Sequence, residues 1–184
     1  MLLQTGVSGR VWSPLHSLYA WLRHATTTAP FSRAPFVAKM DDDVAISVPE
    51  LVAQLRLIRG AVRQPERVYY GRYFWTTWNE AAFIPSGSGY THGTVARNAR
   101  ACLAARTCRG PFAFTTGSMM LLGSGIAADI GASELAAANI AASRALLSGP
   151  NASRRKTPAF EDVWLGFAAC AARLNPQHRR FASR

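Results

Sequence analysis

Apolar residues near the start of the chain recur at the spacing of a helix. Four of them stand at positions i, i+3, i+4 and i+7: Leu15, Leu18, Tyr19 and Leu22. This spacing places the side chains on one face of an α-helix, where they can be buried together. The pattern predicts a first helix, which the segment from Thr26 to Pro30 ends.

A short apolar run then leads into three consecutive acids, Asp41–Asp43. Phe36 and Val37 predict a buried strand, and open α/β sheets bind ligands at the carboxyl ends of their strands. In extended backbone Asp41 and Asp43 point to the same side. Hard divalent cations bind carboxylate oxygens and keep positions open for phosphate. The spacing predicts that Asp41 and Asp43 share one Mg²⁺ or Mn²⁺; the alternative is a solvated acidic turn that caps a helix.

A second helix is predicted directly after the acids. Ser47 and Glu50 have the spacing of a capping box. The apolar stripe that follows, and that Gly60 closes, consists of Leu51, Leu55 and Ile58. The predicted local order is strand, metal loop and helix.

The middle of the chain predicts a second strand and an aromatic segment. Arg67–Phe74 has the aromatic and β-branched content of a strand. Trp75 and Trp78 follow it, ahead of a glycine-rich loop, which makes them candidates for a sugar-binding platform in an acceptor loop. The alternative is that both indoles lie in the core, because large aromatic side chains are mostly buried. His92 is interpreted as a polar loop residue.

Two further segments predict a loop, a strand and two helices. Gly110–Gly117 indicates a glycine-containing loop that enters a buried strand, and Gly117 would let backbone approach a ligand closely. The alanine-rich stretch Ala127–Leu147 predicts one scaffold helix. Glu161 and Asp162 form a second acidic pair just before an apolar helix, Val163–Leu174.

Composition and charge narrow the class of protein. With 184 residues, 49% of them apolar and 17% charged, the chain suits one folded domain with a real core. The formal net charge of +11 fits a polyanionic partner. The arginines are scattered, however, and no helix-turn-helix, zinc-finger or RNP pattern accompanies them, so nucleic acid is not the expected partner. A nucleotide diphosphate is also an anion and needs far less basic surface.

The cysteines and the terminal segments do not determine the cellular compartment of the protein. Cys102 and Cys108 are close enough in sequence to be bridged, and two free thiols are equally compatible with the pattern. No C-x-x-C spacing indicates a zinc site. Asn151 begins an N-glycosylation tripeptide, which is compatible with a lumenal protein. The first residues are too short an apolar run for a signal peptide, and no stretch approaches the roughly 18 apolar residues of a membrane span.

Four blocks together resemble one known family. They are Phe-Val-Ala-Lys-Met-Asp-Asp-Asp-Val at 36–44, Val-Tyr-Tyr-Gly at 68–71, Gly-Pro-Phe-Ala-Phe-Thr-Thr-Gly at 110–117 and Glu-Asp-Val-Trp-Leu-Gly at 161–166. In this order and spacing they are similar to the β-1,3-galactosyltransferase family of inverting Golgi hexosyltransferases. The resemblance implies an α/β fold of the GT-A nucleotide-sugar type, with a Rossmann-like sheet and flanking helices.

The resemblance also implies roles for individual residues. Asp41–Asp43 would form the metal and diphosphate motif for a UDP-sugar, with Asp43 as the direct ligand of Mn²⁺ or Mg²⁺. Asp162 would be the catalytic base, with Glu161 beside it near the substrate. Inverting transfer independently needs a carboxylate that takes the proton from the attacking acceptor hydroxyl. The alternative for this pair is a favourable interaction of two acids with a helix N-terminus. His178 is the candidate for a further metal ligand.

The resemblance further implies that the domain is partial. Family members begin with a membrane anchor and a first βαβ region that holds uracil and ribose, so an upstream extension is expected. Residues 1–184 would form a single partial catalytic domain, with a metal-motif half at 15–60, an acceptor and base half at 67–174 and a basic tail at 175–184. Membrane anchoring is expected only through a missing N-terminal segment, on the lumenal side of the Golgi membrane.

The function expected from the sequence is metal-dependent hexosyl transfer. Galactose or N-acetylglucosamine would move from a UDP-sugar donor to a hydroxyl of a glycan or glycoprotein acceptor, in protein glycosylation. The alternative is an inactive fold remnant, or a carbohydrate- or nucleotide-binding protein that lacks a complete donor site.

Overall fold

A computed structural model describes residues 13–79, 84–85, 108–148 and 161–174. The described helices and strands are α1 Ser13–Thr27, β1 Phe36–Met40, α2 Val48–Ala61, β2 Tyr69–Asn79, β3 Ile84–Pro85, β4 Cys108–Gly123, α3 Ser124–Ala132, α4 Glu134–Ser148 and α5 Glu161–Leu174. Short 3-10 helices cover Phe31–Arg33 and Pro65–Arg67. Across these ranges, no helix is both long and apolar enough to cross a membrane.

The described strands form one antiparallel sheet with helices packed on it. The strand order is β1-β4-β2-β3, and each neighbouring pair runs antiparallel. The predicted α/β class is therefore confirmed at the level of mixed helices and sheet. The rule that ligands bind at the carboxyl ends of strands belongs to open, parallel α/β sheets. It does not apply to these strands, because β4 lies between β1 and β2 and runs antiparallel to both.

Helix α1 has the predicted buried face. Its four periodic residues are between 0% and 8% exposed: Leu15, Leu18, Tyr19 and Leu22. They join the main core, and α1 packs chiefly against α3. The predicted helix and its end near Thr26 are confirmed, since α1 ends at Thr27.

Helix α2 follows the acids as predicted, but its residues are half-buried or exposed. It begins at Val48, and Ser47 occupies the N-cap position without a side-chain capping hydrogen bond, so the predicted capping box is not formed. The predicted apolar stripe is only half-buried: Leu51, Leu55 and Ile58. No residue of α2 is fully buried.

Strand β4 corrects one prediction from the sequence. The segment Gly110–Gly117 is not a loop, because it lies inside β4 and pairs with β2. Phe112 and Phe114 alternate onto the buried face at 2% and 1% exposure, the period-two pattern of a strand. Gly117 lies where the pairing changes from Arg72 opposite Thr116 to Tyr70 opposite Leu121. In this register shift residues 117–120 of β4 lie opposite the single residue Gly71 of β2.

The alanine-rich stretch forms two helices where one was predicted. Helix α3 ends at Ala132 and α4 begins at Glu134. Ser133 lies between them, and its hydroxyl oxygen accepts a hydrogen bond from the backbone N–H of Ala136 at 3.2 Å. A serine that satisfies a free N–H in this way favours a new helix start, and this is the physical reason for the break.

Helix α5 lies tightly against β4 because of Gly166. A Cβ atom added to Gly166 would meet the Cβ of Phe114 and lie 2.7 Å from its Cα and 2.9 Å from the carbonyl oxygen of Ala113. Trp164 and Leu165 beside it are fully buried. The glycine of the Glu-Asp-Val-Trp-Leu-Gly block therefore sets how closely the helix that carries Asp162 approaches the sheet.

We expect Gly166→Ala to destabilise the fold by about 1–3 kcal/mol, because the added methyl group overpacks a contact with strand backbone. Gly60→Ala is the matched control, since a Cβ at Gly60 on the exposed helix α2 meets nothing within 4 Å. It should stabilise by about 0.5–1 kcal/mol, because alanine loses less backbone entropy in a helix. Urea denaturation of both variants measures the difference, and equal effects would contradict the described packing of α5.

Candidate functional site

The three acids lie in the turn that directly follows β1. Asp41 is half-buried, whereas Asp42 and Asp43 are exposed. In the described part of the chain, no hydrogen bond or ion pair engages the carboxylates of Asp42 and Asp43. Two carboxylates of the triplet are therefore accessible from solvent.

Lys39 connects this turn to the second acidic pair. Its Nζ lies 2.5 Å from Oδ1 of Asp41 and 3.2 Å from Oε1 of Glu161, the first residue of α5. The lysine side chain is 19% exposed. Two acidic segments that are far apart in the sequence thus lie on either side of one ammonium group.

The charges around Lys39 keep it protonated. Burial alone would lower the pKa of Lys39, but the hydrogen bond to Asp41 and the negative charge of Glu161 more than offset it, so the pKa lies above its usual 10.5. The ammonium is a permanent cation at this site at neutral pH, and it neutralises part of the acidic charge.

Asp162 lies in the first turn of α5, beside this ion-pair cluster. Its Oδ1 accepts a hydrogen bond from the backbone N–H of Val163 at 2.7 Å, and the residue is half-buried. The interaction with a free N–H at a helix N-terminus is the structural role foreseen for this pair. It also holds the carboxylate in one orientation, as a general base requires.

Tyr69 also belongs to this site, although the sequence analysis assigned it no role. Its hydroxyl oxygen accepts a hydrogen bond from the backbone N–H of Thr115 at 3.0 Å. Burial raises the pKa of Tyr69 to about 12, and the negative charge of Asp162 adds to the shift. Tyr73 packs edge-on against the Tyr69 ring, with centroids 5.9 Å apart, and is 47% exposed. The feature of the sequence that could have identified Tyr69 is the Val-Tyr-Tyr-Gly block.

We expect Tyr69→Phe to destabilise the fold by about 1–3 kcal/mol, because it leaves the N–H of a fully buried residue, Thr115, without its acceptor. Tyr70→Phe is the control, since Tyr70 is 46% exposed and should change stability by less than about 0.5 kcal/mol.

The high pKa of Tyr69 also makes the stability of the fold depend on pH. Its contribution to stability is complete below pH 10 and is lost as the pH rises towards about 12. Denaturation at pH 8 and pH 11 checks both expectations.

The tryptophan platform receives a different assignment in the structure. Trp78 lies in β2 and not in a loop; it is 0% exposed and stacks on Phe167 with ring centroids 5.6 Å apart. The alternative that its indole is part of the core is therefore confirmed. The backbone of Trp75 lies in β2 opposite Ala113. Gly117 lies in β4, at the register shift.

Several predicted residues lie outside the described part of the chain. They are His92, Cys102, Asn151 and His178. Of the three cysteines, Cys170 lies in α5 and is half-buried.

The donor set of the acidic turn fits a hard divalent cation. Carboxylate oxygens suit Mg²⁺ and Mn²⁺, and Mg²⁺ is commonly held by one or two carboxylates together with the phosphates of a substrate. Asp42 and Asp43 supply that number of accessible carboxylates, while Lys39 engages Asp41. Among the described residues, no group of three His, Cys, Asp or Glu side chains is arranged to surround a metal ion without such help.

In comparisons with protein-family models, curated proteins and solved structures, nothing matches this chain.

Proposed function

We propose that this protein is a metal-dependent inverting hexosyltransferase that uses a UDP-sugar. One observation carries the proposal: Lys39 contacts both Asp41 and Glu161, so the acidic triplet and the turn that holds Asp162 lie next to each other. A transferase of this class needs a cation-binding group for the diphosphate and a separate carboxylate for the acceptor. The described geometry supports both within one site.

In the proposed reaction the carboxylates have separate tasks. Asp43, with Asp42 beside it, would hold Mn²⁺ or Mg²⁺. When bound, such a cation supplies positive charge that stabilises the departing diphosphate. Asp162 takes the proton from the acceptor hydroxyl as its oxygen attacks the anomeric carbon opposite the UDP. The C–O bond to UDP breaks as the new glycosidic bond forms, and the configuration at the anomeric carbon inverts.

Two aromatic side chains, one of which feels the charge of Asp162, support a sugar acceptor. Tyr69 and Tyr73 form an edge-on pair, and Tyr73 exposes half of its surface. Aromatic faces with a polar tip offer both apolar contact and a hydroxyl, a combination that suits a sugar ring. In this proposal the acceptor platform is Tyr69 and Tyr73 in place of Trp78.

The finer fold and the biological setting belong to the same proposal. The described antiparallel sheet, the acidic turn after β1 and α5 would be part of a GT-A nucleotide-sugar fold. Galactose or N-acetylglucosamine would be the transferred sugar, and a glycan or glycoprotein hydroxyl in the Golgi lumen would be the acceptor. The four sequence blocks that resemble the β-1,3-galactosyltransferases support this choice.

A second candidate is a nucleotide- or carbohydrate-binding protein without transferase activity. The observation that favours it is the contact between Lys39 and Asp41, since an ammonium group engages a carboxylate that was expected to bind the metal. In that case Lys39 would replace the divalent cation as the permanent partner of the acids.

A transfer assay separates the two candidates. The chain is incubated with Mn²⁺, UDP-galactose or UDP-N-acetylglucosamine and a panel of benzyl glycosides, and UDP release is followed together with product formation. We expect a product whose new bond is β, identified by its anomeric proton coupling, and no product when EDTA replaces Mn²⁺. UDP binding without any transferred sugar across the panel would favour the second candidate.

A further inference from the structure

Lys39 occupies the position between the two acidic segments that the proposed function uses. It lies on β1 opposite Met120, and its side chain leaves the strand on the same side as the buried Val37. Its ammonium group contacts one carboxylate of the acidic turn and one carboxylate of α5. The proposed reaction gives this ammonium group no task.

We propose that Lys39 is a positioning residue that competes with the divalent cation for Asp41 and thereby directs the cation to Asp42 and Asp43. This inference rests on the proposed function, because it concerns the metal that the transfer reaction would use. It assigns unequal roles to the three acids, although their sequence is simply Asp-Asp-Asp.

The competition follows from distance and charge. The Lys39 ammonium is 2.5 Å from Oδ1 of Asp41, which leaves no room for a second cation at that oxygen. Two like charges at such short range repel each other, and the repulsion grows where water is partly excluded. Lys39 is mostly buried, whereas Asp43 is exposed. A divalent cation therefore meets the least repulsion at the solvent-facing end of the triplet.

Glu161 makes the position of Lys39 stable. Its Oε1 lies 3.2 Å from the ammonium and its side chain is 25% exposed. A lysine side chain has four flexible bonds and would lose entropy on being fixed by one partner alone. Held by carboxylates from two different elements, the ammonium stays between β1 and α5. The cation-binding end of the turn is thus oriented by the helix that carries Asp162.

Removal of the Lys39 charge tests this directly, with Mn²⁺ alone as the probe. Binding is measured by the loss of the free Mn²⁺ electron paramagnetic resonance signal, without nucleotide. We expect Lys39→Met, which keeps most of the apolar stem, to bind Mn²⁺ about fivefold more tightly, because Asp41 becomes available and a repelling charge is lost. Lys39→Gln should show the same gain, and Lys39→Arg, which keeps the charge, should bind as the unmodified protein does.

A second substitution identifies the carboxylate that is released. In the Lys39→Met background, Asp41→Asn should abolish the gain in Mn²⁺ affinity. A purely structural role for Lys39 would lower Mn²⁺ affinity or leave it unchanged, so a gain that depends on Asp41 distinguishes the two. Circular dichroism confirms that each variant compared is folded, and Lys39→Gln provides the comparison if Lys39→Met does not fold.

The possible results separate this inference from the proposed function. If the unmodified chain binds Mn²⁺ and transfers sugar while the uncharged variants bind Mn²⁺ no more tightly, the role of Lys39 is overturned and the proposed function stands. The role of Lys39 is likewise overturned if Lys39→Met still increases Mn²⁺ affinity in the presence of Asp41→Asn. If neither the unmodified chain nor the uncharged variants bind Mn²⁺ alone, the role of Lys39 is overturned; if Mn²⁺ also fails to bind when UDP is present, the proposed function is overturned as well.

Discussion

Replacement of Asp162 by asparagine is expected to lower the rate of sugar transfer by about 10²–10⁴-fold, the usual effect of losing a positioned general base. Asparagine has the same shape as aspartate but cannot take the proton from an acceptor hydroxyl. Its side-chain oxygen can still accept the hydrogen bond from the N–H of Val163, so the start of α5 should be preserved. The rate is measured as UDP release, and Mn²⁺ and UDP affinities are measured by calorimetry.

The neighbouring acid supplies the matched control for this prediction. Glu161→Gln removes an equal charge one residue away, but successive helix positions point about 100° apart, so only one of the two can face the acceptor. Glu161 also contacts Lys39, which gives it a different task. We expect a smaller loss of rate for Glu161→Gln. Transfer at nearly the unmodified rate by Asp162→Asn would mean that the base lies elsewhere and that this acidic pair only starts a helix.

Replacement of Asp43 by asparagine should weaken Mn²⁺-dependent UDP binding on the order of 10–100-fold, because even groups that only support a metal ligand have effects of this size. The carboxylate of Asp43 is exposed, and its loss should leave stability almost unchanged. Calorimetric titration of UDP in the presence of Mn²⁺ measures the loss, and a denaturation curve verifies the fold.

The control for Asp43→Asn is an exposed acid that lies outside the proposed site and forms no ion pair with another described helix. Glu134→Gln suits the purpose, since Glu134 is an exposed acid in the first turn of α4 and its replacement should leave UDP binding unchanged. Asp129 is unsuitable because it forms an ion pair with Arg67 that links α3 to the 3-10 helix at Pro65–Arg67. Equal losses in Asp43→Asn and Glu134→Gln would refute the metal assignment.

Local patterns in the sequence predicted those parts of the fold that local physics determines. The face of α1 follows from a helical repeat of apolar residues, and the order of β1, acidic turn and α2 follows from a short apolar run, three acids and a second repeat. Asp162 was placed near a helix start, and α5 begins one residue before it. These features need no knowledge of distant contacts.

The remaining features depend on contacts between distant segments. The sequence at 110–117 resembles a loop because of its glycines and proline, yet pairing with β2 makes it a strand. The antiparallel strand order is set by how β4 inserts between β1 and β2. The contact of Lys39 with Glu161 could not be predicted, since nothing near Lys39 in the sequence indicates that Glu161 lies beside it. The same holds for the contact of Tyr69 with Thr115.

The central claim is that the acidic turn and the start of α5 form one metal-dependent UDP-sugar site. A calorimetric titration of the chain with UDP, performed once with Mn²⁺ and once with EDTA, tests it most directly. We expect saturable binding of one UDP per chain with Mn²⁺, and binding at least about tenfold weaker with EDTA, because the diphosphate charge is then not neutralised beside the acids. UDP affinity that is the same in both titrations, or no binding in either, would contradict it.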